Sequence, residues 1–238
     1  GIQRVEKELI DLLPGGRVAR LDFDTTRRKG DFQRILGSFA RKEADILLGT
    51  QMVAKGHDFP DVTLVGVLNA DLSLNLPDFR SAEHTFQLLT QVSGRAGRGE
   101  KPGEVIVQTL NPNHYSIESA CRGEDKLFYR EEAYRRRSLG YPPFGELIRV
   151  RFSGKDEEKV MNNAAQFAQH IKQTVGTDHI VVLGPAPAPV LRVKGQYRYQ
   201  VMLKGNCRKV RSEIESCLVV YRKNKSVIIN VEIDPYGF

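Results

Sequence analysis

Two arginines, Arg95 and Arg98, stand among Gly94, Gly97 and Gly99 in the stretch Gln91-Val-Ser-Gly-Arg-Ala-Gly-Arg98, directly after a run with helical spacing. Glycines remove side-chain bulk, so the backbone can turn tightly and bring a guanidinium close to a bound anion. A rigid, always-charged fork suits a transferring γ-phosphate, where an arginine finger contributes on the order of 10³–10⁵ in rate. The same residues also read as a glycine-capped helix end with two surface arginines, and the stretch alone does not choose between the two.

A second motif does. Ala44-Asp-Ile-Leu-Leu-Gly-Thr50 is a short apolar run ending in Gly-Thr; a polar loop, Gln51 to Pro60, separates it from a second apolar run, Val62-Thr-Leu-Val-Gly-Val-Leu68. Continuous apolar runs of this length read as buried parallel strands. In open α/β sheets ligands sit beyond the carboxyl ends of strands, which is where Thr50, Lys55 and Asp58 fall. The two motifs, in this order and at this spacing, resemble motifs V and VI of superfamily 2 helicases. The resemblance sharpens with Gly49-Thr-Gln-Met-Val-Ala-Lys-Gly-His-Asp-Phe-Pro60 and Leu76-Pro-Asp-Phe-Arg-Ser-Ala-Glu83. Tyr141-Pro-Pro-Phe144, Leu183-Gly-Pro-Ala-Pro187 and Val231-Glu-Ile-Asp-Pro235 add to it. Across nearly its whole length the chain resembles the primosomal protein N′ family of replication-restart helicases.

That resemblance implies roles. Arg95 and Arg98 are expected as the arginine-finger pair on ATP, with Gln91 orienting the attacking water or bonding the γ-phosphate, or else capping its helix. Asp58 bonds the ribose or braces the arginines, or else makes an Asx-turn; Gly56 is placed with it on the nucleotide side. Thr50 and Lys55 are expected on a single-stranded DNA phosphate, Gly56 allowing close backbone approach. Arg80 is expected to brace Asp71 or Asp78. His57 has no His, Cys or carboxylate at ligand spacing and reads as a polar loop residue.

The elements that must position these residues follow from periodicity. Ile2, Val5, Leu9 and Leu12 recur at helical spacing until Pro14-Gly-Gly16, and Arg17 to Phe23 alternates as a strand before the polar Asp24-Thr-Thr26. Phe32, Ile35, Leu36 and Phe39 give a second helix, strands follow at 45–50 and 62–68, and a helix from about Ser81 turns Phe86, Leu89 and Val92 inward. A strand at Glu104–Leu110 completes the alternation expected of a parallel sheet covered by helices, a RecA-like α/β lobe over residues 1–140. Two polar helices fill Pro112–Leu139, and Tyr141-Pro-Pro-Phe-Gly145 reads as a domain hinge. Residues 141–238 then read as a small basic α+β domain. Its expected order is strand 147–153, helix 156–174, strand 180–184, an extended pair about Gly195, helix 207–221 and strand 227–233.

Charge separates the two parts. The net charge is +7, yet residues 1–144 carry 21 Lys/Arg against 20 Asp/Glu while residues 145–238 carry 15 against 9. A single-sign patch on one small domain is the footprint of a polyanion partner. Within it, Arg192-Val-Lys-Gly-Gln-Tyr-Arg-Tyr199 interleaves cations and aromatics about a glycine turn, with Arg192 and Lys194 expected on one face and Tyr197 and Tyr199 together. Arg192, Lys194, Tyr197 and Arg198 could clamp phosphates and stack a base, or the tyrosines could pack on their own domain's helix. Asn206 reads as the N-cap of the last helix, and Arg208, Lys209 and Arg211 in its first turns call for an anionic partner. That partner is nucleic-acid phosphate or, as the family resemblance suggests, the acidic tail of single-stranded-DNA-binding protein.

Composition sets bounds. A hydrophobic content of 40% with 27% charged residues is that of a soluble globular protein. No apolar run is long enough for a membrane span and no signal peptide is evident. The odd trio Cys121, Cys207 and Cys217 suits a reducing cytoplasm and forms no C-x-x-C pair. No G-x-x-x-x-G-K-[ST] phosphate loop and no DExH motif occurs, so these residues supply half of an ATP–magnesium site. The sequence opens at Gly1 inside an amphipathic pattern, as a piece of a longer protein would. The resemblance implies that the rest carries a DNA-binding domain, the first motor lobe and a cysteine-rich segment for Zn²⁺, which this chain does not bind. It further implies a monomer moving 3′→5′ on single-stranded and forked DNA and recruiting other primosome proteins. Two other readings stay open: another superfamily 2 DNA translocase, and a non-catalytic nucleic-acid-binding module on a RecA-like shell.

Overall fold

A computed structural model describes residues 1–50, 59–94, 102–176, 178–223 and 226–235. The chain forms two compact units, Gly1–Asn75 with Ser81–Phe128, and Leu76–Arg80 with Tyr129–Phe238.

In the first unit, α1 (Ile2–Leu12) leads to β1 (Val18–Leu21), α2 (Asp31–Ala40), β2 (Ile46–Gly49) and β3 (Leu64–Val67). The short α3 (Asp71–Leu74), α4 (Ser81–Ser93), β4 (Glu104–Val107) and α5 (Tyr115–Arg122) follow. The strands pair in parallel, β1 with β2 from Val18↔Ile46 to Leu21↔Gly49, and β3 with β4 from Leu64↔Glu104 to Val67↔Val107. Parallel partners need a crossover, and α2 supplies it for the first pair. On α4 the buried residues are Ala82, Thr85, Phe86, Leu89 and Val92, a three-and-four spacing that turns one stripe inward. That stripe meets Ile117 and Ala120 of α5 and Phe128 of α6 (Asp125–Leu139). Phe86 and Phe128 stack at 3.9 Å with an interplanar angle of 1°.

A polar clamp ties the exit of β4 to the start of α3. The buried Asp71 carboxylate accepts hydrogen bonds from Asn111 Nδ2 at 2.6 Å, Leu110 N at 2.8 Å and Thr109 Oγ1 at 3.1 Å. The Asn111 amide, first among these donors, holds the carboxyl below its ordinary pKa.

The second unit runs β5 (Glu146–Gly154), α7 (Glu157–Val175), β6 (Ile180–Val193), β7 (Gln196–Gly205), α8 (Arg211–Arg222) and β8 (Ile228–Ile233). Its four-stranded sheet has the order β6-β7-β5-β8 with every neighbour antiparallel. A βαββαβ chain in that order is the split-βαβ, ferredoxin-like arrangement. Alternation decides the faces: Val150 and Phe152 of β5, with Val201 and Leu203 of β7, are fully buried with Val160, Ala164, Phe167 and Ile171 of α7 and with Ile214 and Leu218 of α8. Asp156 caps α7, its Oδ1 accepting from Lys159 N at 3.1 Å. Intervening positions of β5 are charged. Buried Arg149, directly across from Glu232 of β8, and half-buried Arg151, diagonal to it, both donate to that carboxylate, the second at 2.8 Å, and the Arg149 bond holds the Glu232 carboxyl below its ordinary range.

The compact units change over between Phe128 and Tyr129, with Leu76–Arg80 counted in the second, while the sequence places a domain boundary at 140/141. Tyr141-Pro-Pro-Phe-Gly145, expected as a domain hinge, lies beyond that changeover. It is a tight turn inside the second, closed by Tyr141 N to Arg136 O at 2.8 Å and Phe144 N to Tyr141 O at 3.0 Å. The last helix also begins later than expected. Cys207–Val210 is a 3-10 turn, Asn206 makes no side-chain capping bond, and Val210 stands at the cap of α8.

The stacked ring at the centre of the first unit gives a direct check. Phe128→Ala should cost roughly 3–5 kcal/mol of unfolding free energy, read from urea melts of this chain, because it removes a fully buried ring and leaves a cavity. A loss under about 1 kcal/mol would contradict that packing.

Candidate functional site

Strand ends set the first candidate site. Thr50 follows β2 directly and is exposed at the carboxyl end of a parallel pair, where Leu21↔Gly49 is the last register step. The neighbouring strand end, β1, opens into a loop closed on itself: Thr25 N donates to Asp22 Oδ1 and Asp22 N to Thr25 Oγ1, each at 2.9 Å. Gln91 is exposed in the last turn of α4, whose buried Leu89 and Val92 fix which face it presents. Lys55, Gly56, Asp58, Arg95 and Arg98 lie outside the described residues. Arg80 turns to Asp78, its backbone N–H donating to Asp78 Oδ1 at 2.8 Å and its Nε at 3.4 Å, while Asp71 is engaged by the clamp on β4.

The second candidate site is the β6–β7 hairpin. Lys194 and Gly195 both have positive φ, 48° and 78°, as a two-residue type I′ turn requires. Lys194 therefore sits in the turn and not on a strand face beside Arg192, a correction to the period-two reading. Arg192 faces Tyr197 across the ladder, its guanidinium carbon 5.0 Å from the ring centroid. Arg198 donates through Nε and Nη2 to Val190 O, at 3.1 and 2.7 Å, which fixes its direction along the hairpin. The tyrosines divide. Tyr199 packs against the domain core and donates its hydroxyl to Glu157 Oε1 of α7 at 3.1 Å, so it is spent on the fold. Tyr197 remains half-buried under Arg192.

The third cluster is Arg208, Lys209 and Arg211, all exposed. Arg208 is ion-paired with Glu146, which also accepts its backbone N–H at 2.8 Å. Arg211 pairs with Glu215 one turn along α8 at 2.7 Å. Surface pairs of this kind contribute little and exchange readily with another anion. Sequence reasoning missed Glu146 because it lies on a distant strand, whereas the i, i+4 spacing of Arg211 and Glu215 could have revealed the second pair. Cys207 beside them is buried, which pushes its thiol up to about 11 and leaves it protonated and unreactive at neutral pH. Among the described residues no group of three or more His, Cys, Asp or Glu could hold a metal, and no helix is long and apolar enough to cross a membrane.

Comparison with known proteins finds two matches in succession. Residues 137–236 match the family model described as primosomal protein N C-terminal domain, and residues 2–100 match the helicase conserved C-terminal domain. The replication restart protein PriA of Bacillus subtilis (strain 168) is 48% identical over 240 residues, covering 99% of this chain and 30% of that protein. Along almost its whole length the chain is similar to this PriA protein. PriA of Synechocystis is 43% identical over 239 residues and PriA of Chlamydia muridarum 40% over 236, each covering 99% of this chain. The chain thus spans about 30% of the length of these PriA relatives. Its first unit, with the paired parallel strands, is a RecA-like helicase lobe; its second carries the PriA C-terminal domain.

The turn at Lys194-Gly195 is the feature on which the hairpin depends. Gly195→Val forces a β-branched residue into the left-handed region and should cost about 1–2 kcal/mol, measured by urea unfolding. Unchanged stability would show that the turn is not built on positive φ.

Proposed function

We propose that this chain is the second motor lobe and C-terminal domain of an ATP-dependent 3′→5′ DNA helicase. The whole protein recognises stalled replication forks and initiates primosome assembly in replication restart. The observation that carries this reading is similarity along 99% of this chain to a part of a replication restart protein, in a chain that keeps both the Gly-Thr strand end and the glycine–arginine loop.

Nucleotide chemistry is split between lobes. ATP with Mg²⁺ is cradled by a phosphate loop that these residues do not contain, so the chain alone does not hydrolyse it. From this side Arg95 and Arg98 meet the charge that grows on the transferring γ-phosphate, and Gln91, projecting from the last turn of α4, orients the attacking water. Asp58 and Gly56 serve the nucleotide's sugar side. A guanidinium aimed at developing charge lowers the barrier without reorganising at the moment of reaction. Zn²⁺ in the whole protein is held by residues outside this chain.

Thr50 and Lys55 hold a single-stranded DNA phosphate at the strand ends, so that grip and nucleotide state share one short loop. Arg192, Lys194, Tyr197 and Arg198 make a second, forked-DNA contact on the C-terminal domain. The pairing of exposed Arg192 with half-buried Tyr197 supports it, since a stacked cation and ring offer a base platform beside phosphate charge. Arg208, Lys209 and Arg211 receive the acidic tail of single-stranded-DNA-binding protein, which displaces Glu146 and Glu215. The protein works as a cytoplasmic monomer with other primosome proteins.

In the full-length protein, Arg95→Ala or Arg98→Ala should lower DNA-stimulated ATP turnover by about 10²-fold or more and leave DNA affinity largely intact. Wild-type turnover in both variants would remove the arginine-finger assignment.

A further inference from the structure

Motifs far apart in the chain meet within the second unit: Leu76-Pro-Asp-Phe-Arg80, Tyr141-Pro-Pro-Phe144 and Val231-Glu-Ile-Asp-Pro235. Phe79 stacks on Tyr141, centroids 5.0 Å apart and planes 7° from parallel. The guanidinium carbons of Arg80 and Arg136 lie 4.6 and 5.0 Å from the Phe79 centroid, and Lys204 Nζ lies 4.4 Å from that of Tyr141. Rings flanked by cations in this way attract them through the ring quadrupole. Arg80 also donates through Nη2 to the Pro235 carbonyl. Arg136 is fixed by Glu132, Nε to Oε1 2.7 Å, with side chains only 14% and 8% exposed. Arg80 and Asp78 are as deeply set, at 13% and 7%.

This five-residue segment is an insertion from the motor lobe. The chain leaves the first unit after Asn75 and returns at Ser81. Ser81 is also the first residue of α4, the helix that carries Gln91 and leads into the glycine–arginine loop. One peptide bond therefore joins a residue clamped in the C-terminal domain to the element that presents the phosphate-facing groups.

We propose that Phe79 and Arg80 are positioning residues that hold the start of α4 through the C-terminal domain. The inference rests on the motor reading above for its consequence in ATP turnover, but the clamp itself is testable without it. A side chain outside the catalytic machinery can alter turnover by shifting an element that the machinery rides on.

The test uses amide hydrogen exchange on this chain with two variants. Phe79→Leu keeps apolar bulk and removes the ring; Phe79→Tyr keeps the ring. Exchange across α4 should rise about tenfold in Phe79→Leu, α7 should keep its protection, and Phe79→Tyr should restore α4. Unchanged α4 exchange in Phe79→Leu, an equal rise in α7, or failure of Phe79→Tyr to restore protection would each overturn the proposal. In the full-length protein Phe79→Leu should lower DNA-stimulated kcat by about tenfold with KM for ATP within about twofold. Loosened α4 with wild-type kcat would uphold the clamp and count instead against the motor reading of the arginine loop.

Discussion

The stack of Phe79 on Tyr141 is the interaction around which the turns of the second unit gather. A chain that simply placed one domain after another would cross between its compact units once. Here Leu76–Arg80 leaves the first unit, is captured in the second between rings and guanidiniums, and returns into α4. Aromatic and arginine side chains suit such a joint because they bury large surfaces while keeping directional contacts. The capture also involves the turn Tyr141-Pro-Pro-Phe144. Its tyrosine is one wall of the clamp, and backbone bonds to Arg136 and Phe144 close the turn around it.

Two sets of constraints then coexist. The lobe must bring loops to the carboxyl ends of parallel strands, since that edge is where a RecA-like sheet meets its ligands. The paired strands β1–β2 and β3–β4 do so with a core small enough that one aromatic stack, Phe86 on Phe128, anchors α4 and α6. The C-terminal domain instead has a four-stranded antiparallel sheet whose core lies under α7 and α8, which leaves its hairpin and the turn before α8 free to display cations.

Local pattern carried most of the fold. The spacing Phe86, Leu89, Val92 located the buried stripe of α4, and alternation through Val150 and Phe152 located β5, because burial on one face is written in sequence at a fixed period. What was illegible depends on partners distant in sequence. Glu146 of β5 takes the Arg208 backbone N–H in the turn before α8, and Tyr141 stacks on the distant Phe79. Tyr199 looked free for a ligand until Glu157 of α7 appeared opposite its hydroxyl. For the site itself, Thr50 and Gln91 stand exposed on their elements, whereas Arg95, Arg98, Lys55, Gly56 and Asp58 lie outside the described residues and rest on the motif and family alone.

The central claim is that these residues form one side of a split nucleotide site. Magnesium-dependent ATP hydrolysis by the rigorously purified 238-residue chain, with and without single-stranded DNA, tests it most directly. The account predicts no turnover above a buffer blank, because nothing in the sequence cradles a β-phosphate or holds magnesium. Hydrolysis that disappears in Arg98→Ala would contradict it and show a complete site within this chain.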